Sequence, residues 1–216
     1  MVNPYRNLML NCIGNGSKFL FMLEFIPNML TFVRLALAVV VQIMILCSPP
    51  LTNKAIFLGV AFVLFVIAEL TDVVDGFAAR KFNASSKFGR VTDPLADKIL
   101  VCGTFICFAI IGEPKLFGLG RGALAAIHWS VVGILVVRET YVTIIRHVAE
   151  ARGTVFPSVM AGKIKGVIQA FAIGTVIIKM AYVPTAAWGD WFTVVAFLIM
   201  LVYTVRSGLT ATQRTG

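Results

Sequence analysis

Six long apolar runs, separated by short breaks rich in polar residues, glycine or proline, make up most of this chain. Each run approaches the roughly 20 residues that an α-helix needs to cross the hydrocarbon core of a bilayer. We therefore expect six transmembrane helices that pass back and forth through a membrane. The predicted spans are Met29–Cys47, Ala55–Ala79, Leu95–Ile111, Leu124–Arg146, Val167–Val183 and Trp191–Arg206.

The composition agrees with a membrane location. Of the 216 residues, 59% are hydrophobic and 13% are charged, whereas soluble domains average about 45–50% apolar and about 25% charged residues. This apolar excess is larger than the core of a soluble domain can hold. The prediction is an all-α, polytopic membrane protein with one domain and no separate soluble one.

The segment before the first span has a different pattern. Residues Phe19 to Ile26, together with Lys18, mix polar and apolar side chains as a short amphipathic helix on the membrane surface does. We therefore divide the chain into three parts. They are an N-terminal juxtamembrane segment (1–27), a six-helix domain (28–206) and a C-terminal tail (207–216).

The distribution of basic residues predicts how the spans are oriented. The net charge is +9, but the lysines and arginines cluster in loops between spans rather than in one run, which argues against nucleic acid as a partner. With six spans, 15 of the 19 basic residues fall on one side, and the positive-inside rule makes that side cytoplasmic. We expect a protein of the plasma (inner) membrane with both termini in the cytoplasm. The four basic residues on the other side are Lys54, Lys115, Arg121 and Lys179.

Four of the ten acidic residues are aspartates in one short stretch on the cytoplasmic side. Two carboxylates ~4 Å apart repel by about 1 kcal/mol in water and by roughly 4 kcal/mol at an effective dielectric of 20. A chain so poor in acids would hardly gather them without a compensating cation. Oxygen-only ligands point to Mg²⁺, Mn²⁺ or Ca²⁺ rather than zinc. The predicted ligands are Asp72, Asp75, Asp93 and Asp97.

The spacing of these aspartates predicts two facing pairs. Asp72 and Asp75 are three residues apart at the end of the second span, and Asp93 and Asp97 are four apart at the start of the third. Residues at these spacings share one face of a helix. We expect Pro94 in the first turn of the third helix, with Asp93 as its N-terminal cap. Because one span enters the cytoplasm and the next returns, their ends can bring four carboxylates together.

The same stretch resembles a known signature. The residues from Asp72 to Asp97 spell Asp-x2-Asp-Gly-x2-Ala-Arg-x8-Gly-x3-Asp-x3-Asp without a gap, and this pattern resembles that of the CDP-alcohol phosphotransferases. The resemblance implies six transmembrane helices, usually paired in a homodimer. It also implies a site with Mg²⁺ or Mn²⁺, taken here as a two-metal site, and a reaction that releases CMP.

The resemblance further implies roles for individual residues. Asp72, Asp75 and Asp93 would bind metal and the CDP pyrophosphate. Asp97 would be a metal ligand, the general base on the acceptor hydroxyl, or both, and the division of catalytic roles between Asp93 and Asp97 is left open. The other signature residues would line the cytidine pocket or support the nucleotide and the acids. They are Gly76, Ala79, Arg80 and Gly89.

These residue types suit the implied reaction. Metal ions neutralise a pyrophosphate and stabilise the leaving group, which here is CMP. A carboxylate within hydrogen-bond reach can take the proton of an attacking alcohol. Because the sequence has no evident Ser-His-Asp or Cys-His arrangement, direct in-line attack by the acceptor is favoured over a covalent intermediate.

Basic residues in the second half predict the acceptor. A phosphorylated acceptor needs cationic partners, and four cations on the same side as the aspartates are candidates. The order of Arg-Glu, a basic stretch and Gly-Lys-x-Lys resembles phosphatidylglycerophosphate synthases, as does the segment from Ile26 to Arg34. Gly166 departs from that subfamily, which commonly has Thr there. The candidates are Arg138, Arg146, Lys163 and Lys165.

The resemblance to that subfamily implies transfer of a phosphatidyl group from CDP-diacylglycerol to glycerol-3-phosphate in a lipid membrane. Two related activities remain alternatives: a eukaryotic-type cardiolipin synthase, which takes phosphatidylglycerol, and an inositol-phosphate transferase. A cation channel or transporter and a non-catalytic scaffold are alternatives from other classes. The channel is disfavoured because the acids lie at one end of the spans and the sequence shows no internal repeat.

Overall fold

The computed structural model describes residue 29 and residues 31–82, 89–151 and 160–212. Within these ranges, side chains are described except at 72–82, 89–94, 146–147, 149–151, 160–163 and 211–212. The described residues form six α-helices and no strand, as the sequence predicts. The helices are α1 (Thr31–Cys47), α2 (Lys54–Phe82), α3 (Gly89–Ile111), α4 (Arg121–Ala151), α5 (Met160–Tyr182) and α6 (Ala187–Thr212).

Four of these helices are long and apolar enough to cross a membrane, within the part of the chain that is described. They are α2, α4, α5 and α6, and the chain is an integral membrane protein. The helix α1 has an apolar stretch at the short end of the transmembrane range, and α3 carries Asp97 and Lys98 just inside its apolar part. The prediction of six complete spans therefore stays a prediction. The predicted amphipathic helix at 19–26 lies outside the described residues.

The helices α3 and α5 begin earlier in the sequence than the predicted spans do. The helix α3 begins at Gly89, six residues before Leu95, and α5 begins at Met160, seven residues before Val167. Apolar composition marks the part of a helix that lies in hydrocarbon, whereas the backbone hydrogen bonds continue into the polar interface. The apolar pattern therefore places the helices correctly but predicts the beginnings of α3 and α5 too late in the sequence.

Three local predictions are wrong for this reason. Asp93 is not an N-terminal cap, because it is the fifth residue of α3 and lies inside the helix. Pro94 is accordingly the sixth residue rather than part of the first turn. Lys163 and Lys165 fall in the predicted loop between the fourth and fifth spans, but they lie in the first two turns of α5.

The helices pack through a shared apolar core. The helix α5 contacts α2, α3 and α6, and α4 contacts α3 and α6. Phe105 of α3 makes edge-to-face contacts with Phe108 of the same helix and with Phe197 of α6. Large apolar side chains on the opposite faces are exposed, as expected of surfaces that meet lipid. Side chains that are fully buried in the core include Leu100, Leu135, Ile173, Ile177 and Met200.

One polar contact joins α1 to α3 inside this core. The Gln42 side-chain Nε2 donates a hydrogen bond to the carbonyl oxygen of Ile99 at 2.7 Å. Gly103, one turn further along α3, faces the same amide, and a Cβ there would lie well inside contact distance of the Gln42 side chain. A side chain at this position would therefore force the Gln42 amide to move away from its carbonyl partner.

Replacing Gly103 with Ala is expected to lower the free energy of unfolding by about 1–2 kcal/mol, because overpacking displaces the Gln42 amide from its carbonyl partner. Thermal unfolding of the purified protein in detergent measures the effect. The control is the double variant Gly103→Ala/Gln42→Ala, which removes the overlap and should cost less than the two single changes added together. Strictly additive losses would contradict this account of the contact.

A buried ion pair holds the other end of the bundle. Lys179 Nζ on α5 lies 2.8 Å from Asp190 Oδ1 on α6, and Lys179 also donates to the carbonyl oxygen of Lys115 at 2.5 Å. The backbone N–H of Phe117 donates to Asp190 Oδ2 at 2.8 Å. These contacts tie the connection between α3 and α4 to α5 and α6. They lie at the end of the bundle opposite the aspartates, which we call the outer end.

Candidate active site at the acidic end of the bundle

The backbone places the two predicted aspartate pairs on consecutive helices. Asp72 and Asp75 lie in the last three turns of α2, and Asp93 and Asp97 lie in the first three turns of α3. Because the helix is continuous through each pair, the residues of each pair occupy one helix face. We call this end of the bundle the acidic end.

Asp97 is the predicted ligand whose side chain the structure describes. The convergence of all four aspartate side chains stays a prediction, and so do the roles expected of the glycines, Ala79 and Arg80. The structure describes only the backbone of the residues concerned, which are Asp72, Asp75, Gly76, Ala79, Arg80, Gly89 and Asp93.

Asp97 forms an ion pair with Arg34. Arg34 Nη2, near the start of α1, lies 3.2 Å from Asp97 Oδ1 and donates a hydrogen bond to it. The Arg34 side chain is only 2% exposed, whereas the Asp97 side chain is 42% exposed. A buried guanidinium needs a counter-charge, so this pair fixes α1 against α3 at the acidic end. The exposed Asp97 carboxylate is accessible to a ligand.

The donor chemistry of the acidic end fits a hard divalent cation. The candidate ligands are carboxylate oxygens alone, with no sulfur or imidazole among them, and this set suits Mg²⁺ or Mn²⁺. Asp97 contributes an accessible carboxylate, and the helical register puts Asp93 one turn away on the same face. Among the described residues no group of three or more metal-binding side chains is present, so the described part of the predicted site is the Asp97 carboxylate, whose oxygens suit such an ion, and the four-aspartate site stays a prediction.

A cluster of charged and polar side chains lies at the same end of the bundle, between α4, α5 and α6. Glu139 Oε1 accepts a hydrogen bond from Arg138 Nη1 at 2.9 Å and another from Lys165 Nζ. Arg138 Nη2 also donates to Ser207 Oγ at 2.7 Å. Each side chain of this ion-paired trio is at least 88% buried, since their exposures are 12%, 12% and 7%. The trio carries a net charge of +1, with one carboxylate shared by two cations.

Lys98 connects α3 to the helix that carries this trio. Lys98 Nζ donates to Thr143 Oγ1 at 2.5 Å, and Thr143 Oγ1 donates to the carbonyl oxygen of Glu139 at 2.7 Å. The Arg34–Asp97 pair and the Glu139 trio are therefore neighbouring parts of one polar region.

The structure brings together two of the four predicted acceptor-binding cations. Arg138 and Lys165 meet at Glu139. The side chains of Arg146 and Lys163 lie outside the described residues. One turn beyond Lys165 on α5, Gln169 is buried, and its Nε2 has no hydrogen-bond partner among the described residues. A phosphate that reached this region would meet donors on two helices, α4 and α5.

Sequence reasoning placed Arg34 and Glu139 in motifs but gave neither a role in the site. Each carries a signal that was available: a charged residue within or beside an apolar run must be paired or solvated. Arg34 pairs with a residue 63 positions away, and Glu139 pairs both with the adjacent Arg138 and with Lys165, 26 positions away. Spacing along the chain therefore gave no means of finding the two long-range pairs.

The site is an acidic helix end beside a buried basic trio, in an all-α integral membrane protein. The family model described as CDP-alcohol phosphatidyltransferase matches residues 24–205 of this chain. The chain therefore belongs to the CDP-alcohol phosphatidyltransferase family, and it is an enzyme. This membership confirms the resemblance predicted from the aspartate signature and decides against the channel and scaffold alternatives.

The chain is also similar to individual members of this family. The chain is 32% identical over 195 residues to the CDP-diacylglycerol–glycerol-3-phosphate 3-phosphatidyltransferase of Bacillus subtilis (strain 168), an alignment that covers 85% of this chain and 91% of the relative. It is 30% identical over 165 residues to a probable phosphatidylglycerophosphate synthase of Mycobacterium tuberculosis (strain H37Rv), covering 72% and 67%. It is 29% identical over 161 residues to the CDP-diacylglycerol–glycerol-3-phosphate 3-phosphatidyltransferase of Mycoplasma pneumoniae. That alignment covers 68% of this chain and 65% of the relative.

Proposed function

We propose that this enzyme transfers the phosphatidyl group of CDP-diacylglycerol to glycerol-3-phosphate, giving phosphatidylglycerophosphate and CMP. The observation that carries the proposal is the buried Arg138–Glu139–Lys165 trio beside the acidic end. A trio with net positive charge suits a small phosphorylated acceptor better than a neutral one. The names of the relatives in Bacillus subtilis and Mycoplasma pneumoniae support the same substrates.

The reaction needs one bond to form and one to break. The terminal hydroxyl oxygen of glycerol-3-phosphate attacks the phosphorus that carries the diacylglycerol, and the bond from that phosphorus to the CMP oxygen breaks. The hydroxyl proton passes to a carboxylate, for which Asp97 and Asp93 are the candidates. A base of this kind is commonly worth 10²- to 10⁴-fold in rate.

The aspartates of both helix ends would hold Mg²⁺ or Mn²⁺, in the two-metal arrangement predicted from the sequence. When bound, such ions neutralise the pyrophosphate and stabilise CMP as it leaves. The carboxylates involved are those of Asp72, Asp75, Asp93 and Asp97.

The acceptor phosphate would bind beside the trio. Arg138 and Lys165 come from different helices and share the Glu139 carboxylate, so their charged groups are held close together in advance. Cations fixed before binding lose less conformational entropy when a phosphate arrives. Arg146 and Lys163, the other two predicted cations, would extend this basic surface toward the cytoplasm.

The setting of the site follows from the charge distribution. We propose that the acidic end faces the cytoplasm, where 15 of the 19 basic residues are predicted to lie. CDP-diacylglycerol would then enter from the inner leaflet of the plasma membrane and glycerol-3-phosphate from the cytosol. We further propose that residues 28–206 form the catalytic domain and that two copies pair as a homodimer. The family match over residues 24–205 supports these domain limits.

An acceptor panel tests the proposal. Purified enzyme in lipid vesicles with CDP-diacylglycerol and Mg²⁺ is expected to release CMP at least 100-fold faster with glycerol-3-phosphate than with phosphatidylglycerol, inositol-1-phosphate or serine. Discrimination of this size is typical of sites whose charged groups would be left unpaired by the wrong substrate. Faster release with phosphatidylglycerol would instead identify a cardiolipin synthase, and faster release with inositol-1-phosphate an inositol-phosphate transferase.

A further inference from the structure

Arg34 is a buried cation whose role the reaction described above leaves open. It lies near the start of α1, in a chain segment remote from the aspartate signature, and its side chain is 2% exposed. A second contact, from Gln42 to the carbonyl oxygen of Ile99, fixes the same two helices further along. The position of Arg34 beside Asp97 is therefore set by helix packing and not by a mobile surface side chain.

The two carboxylate oxygens of Asp97 have different hydrogen-bond partners. Oδ1 accepts the hydrogen bond from Arg34 Nη2 at 3.2 Å, while Oδ2 accepts none from the described residues, and 42% of the side chain is exposed. A carboxylate held through one oxygen has fewer accessible rotamers than a free one. The remaining oxygen is then presented in a fixed direction.

Lys98, the residue after Asp97, is directed elsewhere. Its Nζ donates to Thr143 Oγ1 on α4 at 2.5 Å. Among the described side chains, Arg34 is thus the cation paired with Asp97. Because Lys98 is bonded to α4, the orientation of the Asp97 carboxylate depends on Arg34.

We propose that Arg34 is a positioning residue that binds Oδ1 of Asp97 and reserves Oδ2 for the divalent ion and the acceptor hydroxyl. The Arg34 side chain then affects the rate of transfer and the affinity for the ion in opposite directions. By orienting the carboxylate it speeds transfer, because misplacing a reacting group by about 1 Å can cost roughly 100-fold in rate. By placing a positive charge beside a ligand it weakens binding of the ion. The turnover effect rests on the proposed function, whereas the effect on ion binding does not.

The test compares wild type with Arg34→Gln in two measurements. Titration with Mn²⁺ alone, followed by electron paramagnetic resonance, is expected to show binding roughly threefold to tenfold tighter in the variant because a neighbouring positive charge is gone. CMP release is expected to show a kcat about 100-fold lower with the KM for CDP-diacylglycerol within about twofold of wild type. A merely structural role would weaken both properties together.

Two further variants keep the outcome interpretable. Arg34→Lys retains a cation without the planar fork, so Mn²⁺ affinity should stay at the wild-type value while kcat falls by roughly tenfold. Lys179→Met breaks a buried ion pair at the outer end and should leave Mn²⁺ affinity unchanged even where it lowers stability. Weaker or unchanged Mn²⁺ binding in Arg34→Gln overturns the inference, and so does tighter binding in Arg34→Lys. Wild-type enzyme that binds Mn²⁺ but releases no CMP overturns the proposed function instead.

Discussion

Replacing Asp97 with Asn is expected to lower the rate of CMP release by about 10²- to 10⁴-fold, the range commonly lost with a catalytic acid or base. Asn keeps the size of the side chain and can still accept a hydrogen bond from Arg34, but it carries no charge and takes no proton. It would therefore be a weaker metal ligand and could not act as a general base. Steady-state CMP release from CDP-diacylglycerol with saturating glycerol-3-phosphate measures the loss.

The loss must be separated from unfolding, because Asp97→Asn also removes a charged partner of the buried Arg34. Glu113→Gln is the matched control: it neutralises an acid at the outer end that accepts a hydrogen bond from the Lys115 N–H. It should release CMP at the wild-type rate. Thermal unfolding in detergent then shows whether Asp97→Asn is folded at the assay temperature. A folded Asp97→Asn variant with more than a tenth of wild-type activity would contradict its catalytic role.

Replacing Glu139 with Ala is expected to have the largest effect on stability. Glu139 is the shared partner of Arg138 and Lys165, and its removal leaves two buried cations facing each other. Breaking a buried ion pair by removing one partner typically costs about 3–5 kcal/mol. The midpoint of thermal unfolding in detergent should fall clearly below that of the wild type.

Asp190→Ala provides the comparison for Glu139→Ala, because it strands Lys179 in a buried pair at the outer end. Both variants should be destabilised. At a temperature where both are folded, only Glu139→Ala should lower kcat/KM for glycerol-3-phosphate, by at least about tenfold, since the acceptor cations lose the carboxylate that holds them together. Equal effects of the two variants on kcat/KM would show that the trio at Glu139 has no special relation to the acceptor.

The helices of this protein could be predicted from its sequence because apolar length is a strong signal in membrane proteins. The end of α1 at Cys47 and the end of α3 at Ile111 agree with the predicted spans. The beginnings of α3 and α5 do not agree, because at the membrane surface a polar residue can continue a helix as well as end it. Asp93, with Pro94 after it, has the residue types of a helix start and yet lies inside the helix.

The site could be predicted in part. The signature aspartates could be proposed from the sequence because their spacing is local and each pair lies on one helix, and their role in the site stays a prediction. The pairing of Arg34 with Asp97 and the sharing of Glu139 could not be predicted, because each depends on which helices pack together. Sequence spacing along one chain segment contains no information about that packing.

Binding of Mn²⁺ to wild type, Asp75→Asn and Asp93→Asn, measured by electron paramagnetic resonance, tests most directly whether the ends of α2 and α3 form one metal site. Each variant removes one carboxylate charge, and the two changes lie on different helices. If the helix ends hold the ions jointly, both variants lose affinity for the ions that the wild-type protein binds. Wild-type binding that survives unchanged in either variant would show that the two helices do not share a site, and the proposed mechanism of phosphatidyl transfer would be wrong.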